Sequence, residues 1–335
     1  KLLAFCHSLS PRIRRKESGK MRGALPLSFL LILGAVVAIT LLFTPSQLSF
    51  WMMETPIEVP GWTLSVGAGL LIILACLLVR FLTNSSVLCN EVDRRWCTLL
   101  ATLLFLLYPS AWSSSTALLT LLPYLGIVFN LYNSYRHPDH PLDLTTAGVF
   151  MGLGVLLYPP FIALLPLILF TAIDLRALSL RSSIGFFLGL ISIFIIATPI
   201  VLYSERLPHL QQALQEIFTP RPIWQEGNML PSPHLVAVAV STSLYAIATL
   251  FGVIRLGEKK VRVRQLMAAQ MRPALMLPLG IFYSQHLVGL SLLSLIPASM
   301  VMVLAFPAHE RKVRSFWLIV LILSLLVVWS LPFFS

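Results

Sequence analysis

DLTTAGVFMGLGVLLYPPFIALLPLILFTAIDLRALSLR, residues 143–181, holds two apolar runs, Thr145–Tyr158 and Phe161–Ile173, separated only by Pro159-Pro160. Basic residues flank both outer ends: Arg136 before, Arg176 and Arg181 after. A single helix kinked at the prolines would put one basic cluster on each side of a membrane. Two short helices that turn there keep both clusters on the cytoplasmic side, as the positive-inside bias expects. The stretch therefore predicts a hairpin. Each arm is shorter than the roughly 20 residues that span a bilayer upright. The arms are expected to be shielded by neighbouring helices, with the bilayer thinned locally to match them.

Working outward, the whole chain has the same character. Of 335 residues, 57% are apolar and 11% charged, with a mean hydropathy of +0.87. This composition excludes an ordinary soluble globular chain and predicts an all-α polytopic integral membrane protein. The net charge of +11 follows topology: 22 of the 24 Lys and Arg fall on the proposed inner side, leaving Arg206 and Arg221 outside. Nucleic acid is not an expected partner; the bilayer is. Cys6, Cys76, Cys89 and Cys97 show no metal-ligand spacing and none lies in a proposed outer loop, so no disulfide, metal or cofactor is expected. Lys1–Lys20 reads as a basic cytoplasmic arm or as an extension ahead of a natural start at Met21, and residues 21–335 as one membrane domain.

In chain order, an uncleaved first span is expected over Leu25–Thr44, followed by an outer loop at 45–63 without Lys or Arg. The next spans are Leu64–Leu82, Cys97–Tyr108 and Thr116–Tyr135, with Glu91, Asp93, Arg94 and Arg95 in a cytoplasmic turn. After the central hairpin, Ile184–Tyr203 leads to the longest outer loop, 204–233, where Leu207, Leu210, Leu214 and Ile217 recur at helical spacing and predict an amphipathic surface helix. Leu235–Ile254 crosses back to the most basic inner loop, whose Lys259, Lys260, Arg262 and Arg264 would favour anionic headgroups. A third hairpin, Ala274–Tyr283 with Leu287–Phe306, and a last span, Phe316–Phe334, bring the expected count to about eleven spanning or half-spanning helices, several in short proline-turned hairpins. The amino terminus is expected inside and the carboxyl terminus outside.

No acidic residue falls near the middle of an expected span, which argues against an ion-coupled carrier. Gly148, Gly152 and Gly154 form a small-residue face, read as helix packing rather than a ligand cleft. Chemistry is left to the outer surface. Glu54 and Glu58 supply carboxylates for general-base work on an acceptor hydroxyl; Arg206, His209, Arg221 and Trp224 supply groups that could hold a lipid phosphate. Ordinary loop charges and interfacial aromatics are the alternative reading of the same residues.

From Tyr108 to Tyr203, the segments YPSAWSSS, AGVFMGLGVLLYPP, AIDLRALSLR and GFFLGLISIFIIATPIVLY resemble a multi-pass inner-membrane protein family of Bacteroidota. That resemblance implies a cytoplasmic-membrane location and no established activity. The order of parts also resembles membrane glycosyltransferases of the GT-C class, which use polyprenyl-phosphate-linked sugars. Those enzymes usually place an Asp-containing motif after the first helix, where this chain offers Glu54 and Glu58. The expectation drawn from it is a transferase acting at the outer face on a polyprenyl-phosphate sugar. The alternative is a non-catalytic membrane subunit that docks a protein partner of an envelope-assembly or secretion complex.

Overall fold

The computed structural model describes residues 47–48, 57–58, 61–85, 91–106, 118–135, 137, 141–203, 215, 232–257, 259–280, 288–305 and 311–330. The expected first span Leu25–Thr44, the arm 1–20 and nearly all of the loop 204–233 with its amphipathic helix lie outside them. Apart from one two-residue strand pair, β1 (Gln47–Leu48) with β2 (Ile57–Glu58), the described elements are helical. They are α1 (Gly61–Ser85), α2 (Glu91–Leu106), α3 (Leu121–Asn133), α4 (Pro141–Leu157), a 3-10 segment (Pro159–Leu164), α5 (Leu165–Asp174), α6 (Leu180–Tyr203), α7 (Ser232–Leu256) and α8 (Val261–Leu279). A helical turn (Val288–Ser291) and a 3-10 turn (Leu292–Ser294) lead into α9 (Leu295–Ala305), and α10 (Arg311–Ser330) follows. Among the described residues, two stretches, Leu180–Pro199 and Val238–Leu256, are long and apolar enough to cross a membrane, while six other apolar helices are shorter.

The central stretch folds back as its prolines require. Tyr158 is pushed into an extended conformation (φ −146, ψ 99) by Pro159, which ends α4. Thr145 packs on Gly185 and Gly189, Gly148 on Phe186 and Leu190, and Gly152 on Leu190 and Ile193. Both series rise together, so α4 and α6 run parallel. The intervening chain must return to its starting end, and its length fits. The 3-10 segment and α5 rise about 27 Å against about 25 Å for α4. The hairpin is thus formed, but its first arm packs chiefly on α6 rather than on its second arm.

Local chemistry sets several boundaries that hydropathy misplaces. α6 begins at Leu180, ahead of its apolar run, because Ser179 and Ser182 form a reciprocal cap: the Ser179 N–H donates to Ser182 Oγ (2.7 Å) and the Ser182 N–H to Ser179 Oγ (3.2 Å). α5 ends in a Schellman turn, with Ala177 N–H donating to the Ala172 carbonyl (3.0 Å) and Arg176 N–H to that of Ile173 (2.9 Å). Two expectations are corrected. Glu91, Asp93, Arg94 and Arg95 belong to the first turns of α2 rather than to a turn ahead of it. The basic inner loop is largely helix: α8 starts at Val261 and carries Leu266, Met267, Gln270, Ala274 and Leu277 inward at helical spacing, so Ala274–Tyr283 is not a separate arm.

The core lies around α9, every residue of which is buried and which touches α2, α7 and α8. A helix apolar on all sides can be accommodated only where neighbours surround it. At the periphery the pattern inverts. α6 exposes Leu180, Ile184, Leu188, Ile191 and Ile195; α10 exposes Phe316, Ile319, Leu323 and Leu326; α1 exposes Leu70, Leu74, Leu77 and Phe81. Each set recurs every three or four residues, so each helix is apolar outward as well as inward.

Candidate functional site

Of the six residues expected to carry chemistry, Glu54, Arg206, His209, Arg221 and Trp224 lie outside the described residues. Glu58 falls within them at the backbone. It sits in β2 with its Cα opposite Gln47, while Ile57 faces Leu48. This antiparallel pair closes the segment 47–58 on itself three residues before α1 begins.

At the other end of the bundle, where α4, α6 and α8 begin and α3, α5 and α7 finish, polar groups from distant parts of the chain meet. Arg272 Nη1 lies 2.6 Å from Asp174 Oδ2, joining α8 to the last residue of α5. The Tyr135 hydroxyl donates to Gln265 Oε1, and the Arg262 guanidinium lies 5.8 Å from the centre of the Tyr135 ring, near enough for cation–π attraction. These contacts brace α8 across the ends of α3 and α5. Arg176, one residue past the α5 cap, is held at φ +54, a left-handed conformation that glycine adopts without strain and arginine does not. Sequence reading missed this junction: nothing in local spacing shows that Asp174 meets Arg272. Nor does local sequence announce the left-handed Arg176, since a helix can stop without such a residue, as α3 does at Ser134.

The interior is built for packing. An added Cβ would lie 2.0 Å from the Phe186 carbonyl oxygen at Gly148 and 2.1 Å from that of Thr145 at Gly189, so two backbones touch along a seam made by Gly148, Gly152, Gly185 and Gly189. The helix-packing reading of Gly148 and Gly152 is what the structure shows. Gly154 serves a different contact, against the Phe161 ring beyond the turn. Interior hydroxyls and thiols pair among themselves: Cys76 Sγ lies 3.6 Å from Thr102 Oγ1, Cys97 Sγ donates to Ser299 Oγ (3.8 Å), and the Tyr132 hydroxyl donates to Met300 Sδ (3.7 Å). Among the described residues no group of three or more His, Cys, Asp or Glu could hold a metal ion.

No known protein family, curated protein or solved structure matches this chain.

Proposed function

We propose that the chain is a multi-span helical protein of a bacterial cytoplasmic membrane, with its amino terminus and the α8 end inside and its carboxyl terminus outside. The observation that carries this reading is the apolar outward surface of α1, α6, α7 and α10, far more than a soluble monomer leaves in water. Hydroxyls on that surface support it. Exposed Thr146, Thr198 and Ser243 donate to carbonyls of their own helices at 2.8, 2.7 and 2.8 Å, the pairing needed where no water is present to serve them. Positive charge gathered at the end where α8 begins supports the orientation. Alkaline extraction of membranes tests the placement: the chain stays in the pellet, and its release into the supernatant would overturn the reading.

Within that frame the proposed activity is transfer of a sugar from a polyprenyl-phosphate carrier at the outer face. Glu54 or Glu58 takes the acceptor proton, and Arg206 or Arg221, with His209 and Trp224, holds the lipid phosphate. The order of parts along the chain supports it, and so does the strand pair that fixes the Glu58 backbone next to α1. Mass spectrometry of envelope glycans compares wild type, deletion and the Glu54→Gln/Glu58→Gln double variant at matched expression. Loss of one sugar in both altered strains is expected; intact glycans in the deletion would end the transferase reading. The second reading, a docking subunit of an envelope-assembly or secretion complex, draws on the unbroken apolar face of α6, which a partner helix could cover. It predicts a stoichiometric partner on purification in mild detergent.

A further inference from the structure

We propose that the α8 end of the bundle binds the headgroup of an anionic phospholipid, with Lys259, Lys260, Arg262 and Arg264 as its main ligands and Arg176 as a flanking cation. The inference rests on the membrane placement above and is independent of the transferase reading. All five side chains are exposed. Residues 255–264 carry five cations against one acid, Glu258, a net charge of +4. Of the two described acidic residues at this end, Asp174 is already engaged by Arg272, which leaves Asp143 to set against that charge.

Three features make this more than a solvated charge run. Arg262 and Arg264 stand on a helix braced through Tyr135, Gln265 and Arg272, and Lys259 and Lys260 lie in the short turn before it, tied to the helix ends by the Lys259 N–H donating to the Leu256 carbonyl (3.1 Å) and the Arg264 N–H to that of Lys260 (2.9 Å). Exposed apolar side chains sit among them and at the neighbouring helix ends: Ile254 is 74% and Leu180 81% exposed, with Val261 and Ile173 half exposed. Basic groups beside outward apolar surface match the boundary between headgroups and acyl chains, where nucleic acid would find no use for the apolar part. Finally, Arg176 occupies a position that glycine would fill without strain, and its guanidinium adds charge at the same end of the bundle.

The test uses the full chain in zwitterionic detergent, with phosphatidylglycerol as the probe and retention read by native mass spectrometry. The Lys259→Gln/Lys260→Gln/Arg264→Gln variant leaves the Arg262–Tyr135 contact intact. It is compared with Arg311→Gln/Lys312→Gln/Arg314→Gln, which removes equal charge from the start of α10. Loss of affinity by roughly a hundredfold is expected for the α8 variant at low salt, against a few-fold for the α10 variant. Equal loss in both, no loss in either, or retention of a single-stranded oligonucleotide in preference to phosphatidylglycerol would overturn the proposal. If the α8 variant does not fold, the wild type decides alone. Retention must weaken as salt rises, and salt-insensitive retention refutes an electrostatic site. Failure of the membrane placement shows separately, as release in alkaline extraction.

Discussion

Replacing Gly148 with alanine tests the α4–α6 seam directly. The new Cβ would stand 2.0 Å from the Phe186 carbonyl oxygen, whereas carbon and oxygen settle at about 3.3 Å or more, so the helices must part by about 1.3 Å. The obstacle is backbone, which cannot swing aside as a side chain can. Nor is the displacement local, since a Cβ at Gly189 meets the Thr145 carbonyl from the opposite side at 2.1 Å. Overpacking of this kind costs about 1–3 kcal/mol, while alanine recovers just under 1 kcal/mol of helix propensity over glycine. The net expectation is destabilisation by up to about 2 kcal/mol, and more for Gly148→Leu. Gly67 on α1 supplies the control, because a Cβ there meets nothing within 4 Å. Gly67→Ala keeps the propensity gain alone and is expected to be neutral or up to about 1 kcal/mol more stable. Reversible unfolding of both variants in mixed micelles, followed by circular dichroism, gives the two signs. If Gly148→Ala matches wild type, or if both glycine variants shift alike, the backbone contact is not there.

Other outcomes follow from the same structure. Arg176→Gly relieves the left-handed strain and should stabilise the fold by about 1 kcal/mol in the same unfolding assay, while weakening phosphatidylglycerol retention; a destabilised variant would contradict the α5 cap geometry. A double-mutant cycle on Asp174→Asn and Arg272→Gln should give a coupling of at most about 1 kcal/mol that shrinks with salt, because the side chains are 33% and 53% exposed. In a Cys6→Ser/Cys89→Ser background, the buried thiols of Cys76 and Cys97 should resist maleimide until the protein unfolds; labelling at the rate of an open thiol would refute their burial.

The hairpin was legible because proline acts locally: Pro159 forces Tyr158 out of the helix whatever packs nearby. Gly148 and Gly152 were legible for a similar reason, since a small-residue face has few uses other than close approach. Their partners Gly185 and Gly189 were not, because hydropathy carries no information on which helices touch. Element ends went astray wherever helix continued into charged sequence. An apolar run marks the stretch that would sit in lipid, whereas hydrogen bonding and caps such as Ser179 and Ser182 decide where the helix stops. α8 is the sharpest case. Its inward residues keep a helical period, but the cations among them read as loop. The same limit hid the junction of Asp174 with Arg272, which only the folded chain brings together.

The parallel arrangement of α4 and α6 also imposes an order on manufacture. Gly148 leaves the ribosome roughly forty residues before Gly189, a matter of seconds at ordinary rates of synthesis. For that interval the glycine groove of α4 lies open, and the chain between must double back before its mate can arrive from the same direction. A nascent chain stalled after Asp174 would therefore display an unfilled backbone groove.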